Sequence, residues 1–215
     1  MNVGSDRSTR ISFVRHGRVH NPEKIVYGRL PGFRLSEQGR READAAAARL
    51  QTDPVDALFT SPMLRARQTA RAVALRQGGV DTHVSRLIIE VCSPFQGRPS
   101  AAADQVRWDL YSGAGCDFEQ PPDIVDRVLR FVSRCLRRYP GGHVAAVTHG
   151  DVVAFTLLWA IGASLRADHR LDMREHGFPD RYPATGSITT LSFPADGPRP
   201  PVDIAYWKPS GIGDV

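Results

Sequence analysis

No apolar run in the 215-residue chain approaches the roughly 20 residues of a membrane-spanning helix. Met1 to Arg10 are polar and lack the apolar stretch of a secretory signal, so the expected location is the cytoplasm. Cysteine is scarce: Cys92, Cys116 and Cys135 stand far apart, are odd in number and form no C-x-x-C pair. They suggest neither a disulfide framework nor a zinc site, and read as three reduced thiols. Internal repeats and low-complexity stretches are lacking too, which excludes solenoid arrays and disordered spacers.

What is present is the composition of an ordinary globular protein, 41% hydrophobic and 24% charged, enough apolar material for a core. The length favours one domain over residues 1–215, with room for a decorating insertion. The net charge is +5 and the isoelectric point about 9.5. A nucleic-acid face would be one reason for that surplus. The basic residues are mostly scattered singly, however, and the densest group (Arg134, Arg137 and Arg138) reads as the solvated face and C-terminal end of a helix. A positive pocket for a small anionic substrate accounts for the surplus equally well. Neither a nucleic-acid nor a membrane partner is expected. The oligomeric state is left open, a homodimer included.

Along the chain, Arg10 to Val14 reads as a strand running into Arg15-His16-Gly17, followed by a Pro- and Gly-rich loop from Asn21 to Gly32. Ser36 has N-cap chemistry for an Ala-rich helix, Glu37 to Leu50. Val55 to Thr60 is a second strand, and Ser61-Pro62 should open a helix that ends near Arg76, before Gly78-Gly79. Asp81 to Arg86 fits a third strand. Residues 91–120 read as an irregular, lid-like insertion with one short helix near Ala101 to Leu110. Pro121-Pro122 then opens an amphipathic helix with apolar residues at Ile124, Val125, Val128, Leu129, Val132, Cys135 and Leu136. His143 to Thr148 is an apolar strand, Asp151 to Ile161 a helix, and Ser187 to Phe193 and Val202 to Trp207 two last strands. The alternation predicts an α/β fold, an α/β sandwich on a mostly parallel sheet.

In such sheets ligands bind beyond the carboxyl ends of the strands. Three of those ends carry reactive residues: Arg15-His16-Gly17, Thr60-Ser61-Pro62 with Arg65 one turn further on, and Thr148-His149-Gly150. If these strands are neighbours, two imidazoles and two guanidiniums converge, which suits a phosphate. An imidazole attacks phosphorus only when neutral, and adjacent arginines disfavour the imidazolium. Glu90, just after the third strand, is the best candidate for the acid that protonates a leaving alkoxide. Taken singly, each of these residues has a plain structural reading as a turn or a surface charge.

Together they resemble the histidine phosphatase superfamily, the group that contains cofactor-dependent phosphoglycerate mutases. The signatures stand as V-R-H-G from Val14 to Gly17, then Asn21, Gly28 and L-S-E-Q-G from Leu35 to Gly39. T-S-P-M-L-R-A-R-Q-T-A follows from Thr60 to Ala70, and A-V-T-H-G from Ala146 to Gly150, with a weaker P-A-T-G-S-I-T-T-L from Pro183 to Leu191. The resemblance implies a three-layer α/β/α sandwich like that of the phosphoglycerate mutases. It implies that His16 is the phosphorylated nucleophile, Glu90 the proton donor, and Arg15, Arg65 and His149 the phosphate pocket, with Asn21 and Ser61 accessory to the phosphate. It implies no metal and no cofactor.

Two departures bear on function. Glu90 is followed by V-C-S-P-F-Q-G and not by the H-Y-G and L-N-K elements of mutases, which points to hydrolysis of small phosphorylated metabolites. A phosphoglycerate-type mutase and a non-catalytic phospho-ligand-binding module are the alternatives. Arg18 stands where many members have Glu or Gln. Facing inward, it would make with Arg29 a second anion site for a carboxylate or second phosphate. Facing outward, it is a solvated surface residue.

Overall fold

The computed structural model describes residues 8–194 and 200–210. Among the described residues, α-helices and strands follow in chain order as eleven elements, apart from short 3-10 turns. The first six are β1 (Thr9–Arg15), α1 (Glu37–Gln51), β2 (Ala57–Thr60), α2 (Leu64–Arg76), β3 (Thr82–Val84) and α3 (Ser100–Gln105). The rest are α4 (Pro121–Arg138), β4 (His143–Thr148), α5 (Gly150–Ala160), β5 (Ile188–Phe193) and β6 (Asp203–Trp207). The strands form one six-stranded sheet in the order β3-β2-β4-β1-β5-β6. β3, β2, β4 and β1 pair in parallel, and β5 and β6 add two antiparallel ladders at one side.

The central strands read as unbroken apolar runs because both faces are covered. Every residue of β4 is buried. On one face Ile11, Phe13, Val144 and Ala146 pack with α4 and α5; on the other Val14, Leu58, Ala145 and Val147 pack with α1 and α2. This is the expected three-layer sandwich on a mixed sheet. The Ala stripe of α1 (Ala43, Ala46, Ala47) lies buried on the same side as Ala66 and Ala70 of α2, small residues that let two helices lie close. α4 buries Ile124, Val125, Val128, Phe131, Val132 and Cys135, the stripe legible in its spacing. α5 is buried almost all round, so it shows no such stripe.

Several boundaries differ from the sequence reading. α2 starts at Leu64 with Met63 as its N-cap, because the Ser61 hydroxyl is turned to other partners: it meets His149 Nε2 at 2.7 Å and accepts from the Met63 N–H at 3.3 Å. The third strand shrinks to three exposed residues at the sheet edge, and Arg86–Ile88 folds into a 3-10 turn. The short helix in the insertion stops at Gln105, since Arg107 and Trp108 both take left-handed backbone angles. The rest of 91–120 is irregular.

Candidate active site

The parallel ladders set the two histidines side by side. Arg15 is paired with Thr148, and the pairing runs one step further: the His16 N–H donates to Thr148 O at 3.0 Å. On the far side of β4 the Ser61 N–H donates to Val147 O at 2.9 Å. The rings of His16 and His149 therefore lie 5.1 Å apart, edge to face. Both are buried.

Arg65, in the first turn of α2, has 0% exposure and sits between them. Its Nε–H donates to His16 Nε2 at 3.1 Å. Its Nη2 donates to Gly28 O at 2.9 Å, to Glu90 Oε2 at 3.1 Å and meets His149 Nδ1 at 3.2 Å. The Tyr27 ring covers the guanidinium, 4.7 Å from its carbon. His149 Nδ1 is also 3.2 Å from Glu90 Oε2. His16 Nδ1 lies 2.8 Å from Gly17 O, which can only accept. That contact fixes the proton on Nδ1 and leaves the Nε2 lone pair facing Arg65.

The charges follow from this packing. Burial, then Arg65, His149 and Arg15, hold His16 well below the ordinary histidine range. Burial and Arg65 lower His149 to about 4, against the raising effect of Glu90. For Glu90, burial alone would raise the carboxyl, but His149, Arg65 and the Val91 N–H outweigh it and hold it well below the carboxylate range. At neutral pH the site holds two neutral imidazoles, one carboxylate and two guanidiniums. Arg15 Nε and Arg65 Nη1 are buried donors with no hydrogen-bond partner among the described residues.

The site opens into a cavity of about 630 Å³. Arg15, His16, Asn21, Gly28 and Glu90 line its inner end. Arg15 donates to Pro183 O and lies over the Tyr182 ring at 5.0 Å. Tyr182 in turn donates to Asp151, as does Tyr111, both at 2.5 Å. Gly150 makes this approach feasible, because a Cβ there would stand 2.3 Å from the Tyr182 hydroxyl.

Of the nine residues singled out in the sequence, His16, His149, Arg15, Arg65 and Glu90 come together here. Asn21 lines the cavity and braces its own loop, its amide bonded to Ile25 O at 2.9 Å and accepting from the Ile25 N–H at 3.2 Å. Ser61 stands behind His149 and does not line the cavity. Arg29 corrects an expectation. Its Nε donates to Glu90 O at 2.7 Å and its Nη2 to Glu119 at 2.5 Å, so it braces the acid from behind and lines no part of the cavity. Arg18 does not line the cavity, and its backbone joins the loop to α1 through Glu42 and Ser36. The sequence reading missed Tyr27, Asp151, Arg170 and Tyr182. Asp151 was within reach of it, two residues after His149. Arg170 and Tyr182 fall in a stretch with no periodic pattern.

The fold also assembles one ligand-like trio among the described residues. His16, Glu90 and His149 present ligand atoms within 4.8 Å of one another. Arg65 already lies on those lone pairs, Nε toward His16 and Nη2 toward the other two. A permanent cation at that spot opposes a second one.

Residues 11–197 match the profile of the histidine phosphatase superfamily (branch 1). The chain is 34% identical over 212 residues to the uncharacterized protein Rv0525 of Mycobacterium tuberculosis, covering 95% of this chain and 98% of that one. The fold resembles mycobacterial glucosyl-3-phosphoglycerate phosphatase Rv2419c, with a TM-score of 0.71 at 24% identity over 86% of this chain and 91% of that one. It also resembles the phosphoserine phosphatase of Entamoeba histolytica, with a TM-score of 0.71 at 18% identity over 95% of this chain and 98% of that one. No helix among the described residues is long and apolar enough to cross a membrane.

Proposed function

The chain belongs to the histidine phosphatase superfamily, and on that premise we propose that it hydrolyses phosphomonoesters of small metabolites, without a metal, through a phosphohistidine on His16. One observation carries the reading. Two buried imidazoles with ring centroids 5.1 Å apart lie beside two guanidiniums that each keep a buried N–H without a partner among the described residues. A phosphoryl group supplies acceptors for those donors and an electrophile for His16 Nε2.

The ester binds with its non-bridging oxygens on Arg15, Arg65 and His149. The Arg65 Nε–H leaves His16 for a phosphate oxygen and frees the Nε2 lone pair. That nitrogen attacks phosphorus in line, the N–P bond forms, and the P–O bond to the alcohol breaks. The alkoxide needs a proton, yet Glu90 is ionised in the free protein. The incoming phosphate supplies both remedies. As a monoanion it brings a proton, and its negative charge beside Glu90 raises the carboxyl so that the proton settles there. Glu90 then protonates the alcohol, and as a carboxylate it takes a proton from the water that opens the phosphohistidine. The three free thiols support a reducing, cytoplasmic setting.

The test is chemical trapping. Enzyme exposed briefly to a radiolabelled ester and denatured in alkali should carry base-stable, acid-labile label on His16. His16→Ala should lose at least three orders of magnitude in kcat while remaining folded. Label on Ser61 or Cys92, or turnover surviving in the variant, sinks the mechanism. Turnover that requires a bisphosphorylated primer reassigns the protein to the mutase alternative.

A further inference from the structure

Trp108 is the largest apolar side chain in the irregular insertion, yet neither hydrophobic cluster of the core includes it. It is 38% exposed and lines the cavity. It is also tightly held. Its N–H donates to Ala103 O at 2.7 Å, its carbonyl accepts from Arg170 Nη2 at 2.6 Å, and its indole N–H donates to Asp104 at 2.7 Å.

The backbone is strained to put it there. Arg107 and Trp108 have φ of 52° and 61°, a conformation that helix ends ordinarily reserve for glycine. Two consecutive non-glycine residues in it, beside a cavity, mark a position retained for a reason other than stability. The cavity lining mixes the apolar Ile25, Val91, Leu110 and Leu171 with the polar Asp104 and Arg107. On the phosphatase reading, a phosphate would be held by Arg15 and His16, and the rest of the lining would face the alcohol part of the ester.

Platform and phosphate site hang on one chain of contacts. Arg170, which holds the Trp108 carbonyl, lies 3.3 Å from Asp151 Oδ1. Asp151 accepts from Tyr182, and the Tyr182 ring lies under Arg15. The Trp108 backbone is thereby linked to Arg15, the arginine proposed to hold the phosphate.

We propose that Trp108 is a stacking platform for a ring in the leaving group. The substrates are then ring-bearing alkyl phosphomonoesters, a nucleoside phosphate or a cyclic-sugar phosphate, and not short acyclic ones. The inference rests on the phosphomonoesterase reading above.

Three primary alkyl esters with the same need for a leaving-group proton test it: a nucleoside 5′-monophosphate, glucose 6-phosphate and glycerol 1-phosphate. At least one ring ester should exceed glycerol phosphate in kcat/KM by about tenfold or more, mainly through KM. Trp108→Ala should cut that ratio by roughly tenfold to a hundredfold, the range of a single stacking contact, and Trp108→Phe should retain most of it. Preference for the nucleotide identifies a flat base, and preference for glucose phosphate a sugar ring. An acyclic ester that matches both, or a Trp108→Ala loss equal on all three, overturns the proposal. If the wild type hydrolyses none of these, nor p-nitrophenyl phosphate, the phosphatase reading fails. Calorimetric binding of the same esters to wild type and Trp108→Ala then tests the platform alone: a ring preference that Trp108→Ala removes sustains it, and equal affinities refute it.

Discussion

A single guanidinium organises the site at the scale of residues. Arg65 reaches His16, His149 and Glu90 at once, so the protonation of each depends on the others. Glu90→Gln keeps the shape and removes the proton. It should lower kcat by about 10²- to 10⁴-fold on alkyl esters and by less than about tenfold on p-nitrophenyl phosphate, whose leaving group needs no acid. Equal losses on both would make Glu90 a binding residue. The same groups give stability a pH dependence. His149 falls from 6.5 to about 4 on folding, His16 is lowered in the same sense, and so is Glu90. For each group the unfolded chain binds protons more readily, so stability is complete above the unfolded pKa and is lost as pH falls toward the folded one. For His149 that window is 6.5 to about 4. Its share is roughly 3 kcal/mol, taking about 1.4 kcal/mol per pKa unit. The melting temperature should therefore fall between pH 7 and pH 4.5, and less steeply in His149→Gln. A flat wild-type profile would contradict the buried, neutral state.

At the scale of elements, two contacts hold the loop after β1, one against α1 and one against the segment after β3. Gly17 and Gly39 touch backbone to backbone. A Cβ on Gly39 would lie 1.9 Å from Arg18 O, and one on Gly17 would lie 2.1 Å from Gly39 O. In an open helix, Gly39→Ala would gain about 1 kcal/mol by propensity. Here the displaced backbone costs about 1–3 kcal/mol and moves the His16 loop. The substitution should lower the urea midpoint and also reduce kcat, and a stabilised variant would show that the contact is slack. Behind Glu90, Glu119 ties Arg29, the Cys92 N–H and the buried Arg127 together at 2.5, 2.9 and 2.7 Å. Glu119→Ala leaves Arg127 without its counter-charge. It should cost about 3 kcal/mol in urea unfolding, more than a surface ion pair can supply.

The whole molecule carries net charge +5, and Arg15, Arg170 and Arg181 line the cavity that an anion would enter. Long-range attraction of that kind acts on encounter and is screened by salt. Raising ionic strength from about 0.02 M to 0.5 M, which shortens the screening length several-fold, should lower kcat/KM for a dianionic ester and leave kcat nearly constant. A chelator should leave both constants unchanged, since Arg65 covers the lone pairs a metal would use. Activity lost to chelator and restored by a divalent ion would refute the metal-free reading.

Local chemistry sufficed for much of this. Strand and helix periods, the glycine stops and the residues at three strand ends are nearest-neighbour properties, and from them the sandwich and the set His16, His149, Arg15, Arg65 and Glu90 could be read. The single conditional step was that the three strands be neighbours, and the order β2-β4-β1 supplies it. What the sequence could not decide is where a long side chain points. Arg29 lies on the right loop but faces away, because Glu119, 90 residues later, claims its guanidinium. Ser61 looked like a helix cap until His149, 88 residues away, competed for its hydroxyl. The outer half of the cavity, with Trp108, Arg170, Asp151 and Tyr182, has no periodic signature. Apart from Asp151, in the first turn of α5, its parts come from separate irregular segments, and only tertiary packing brings them together.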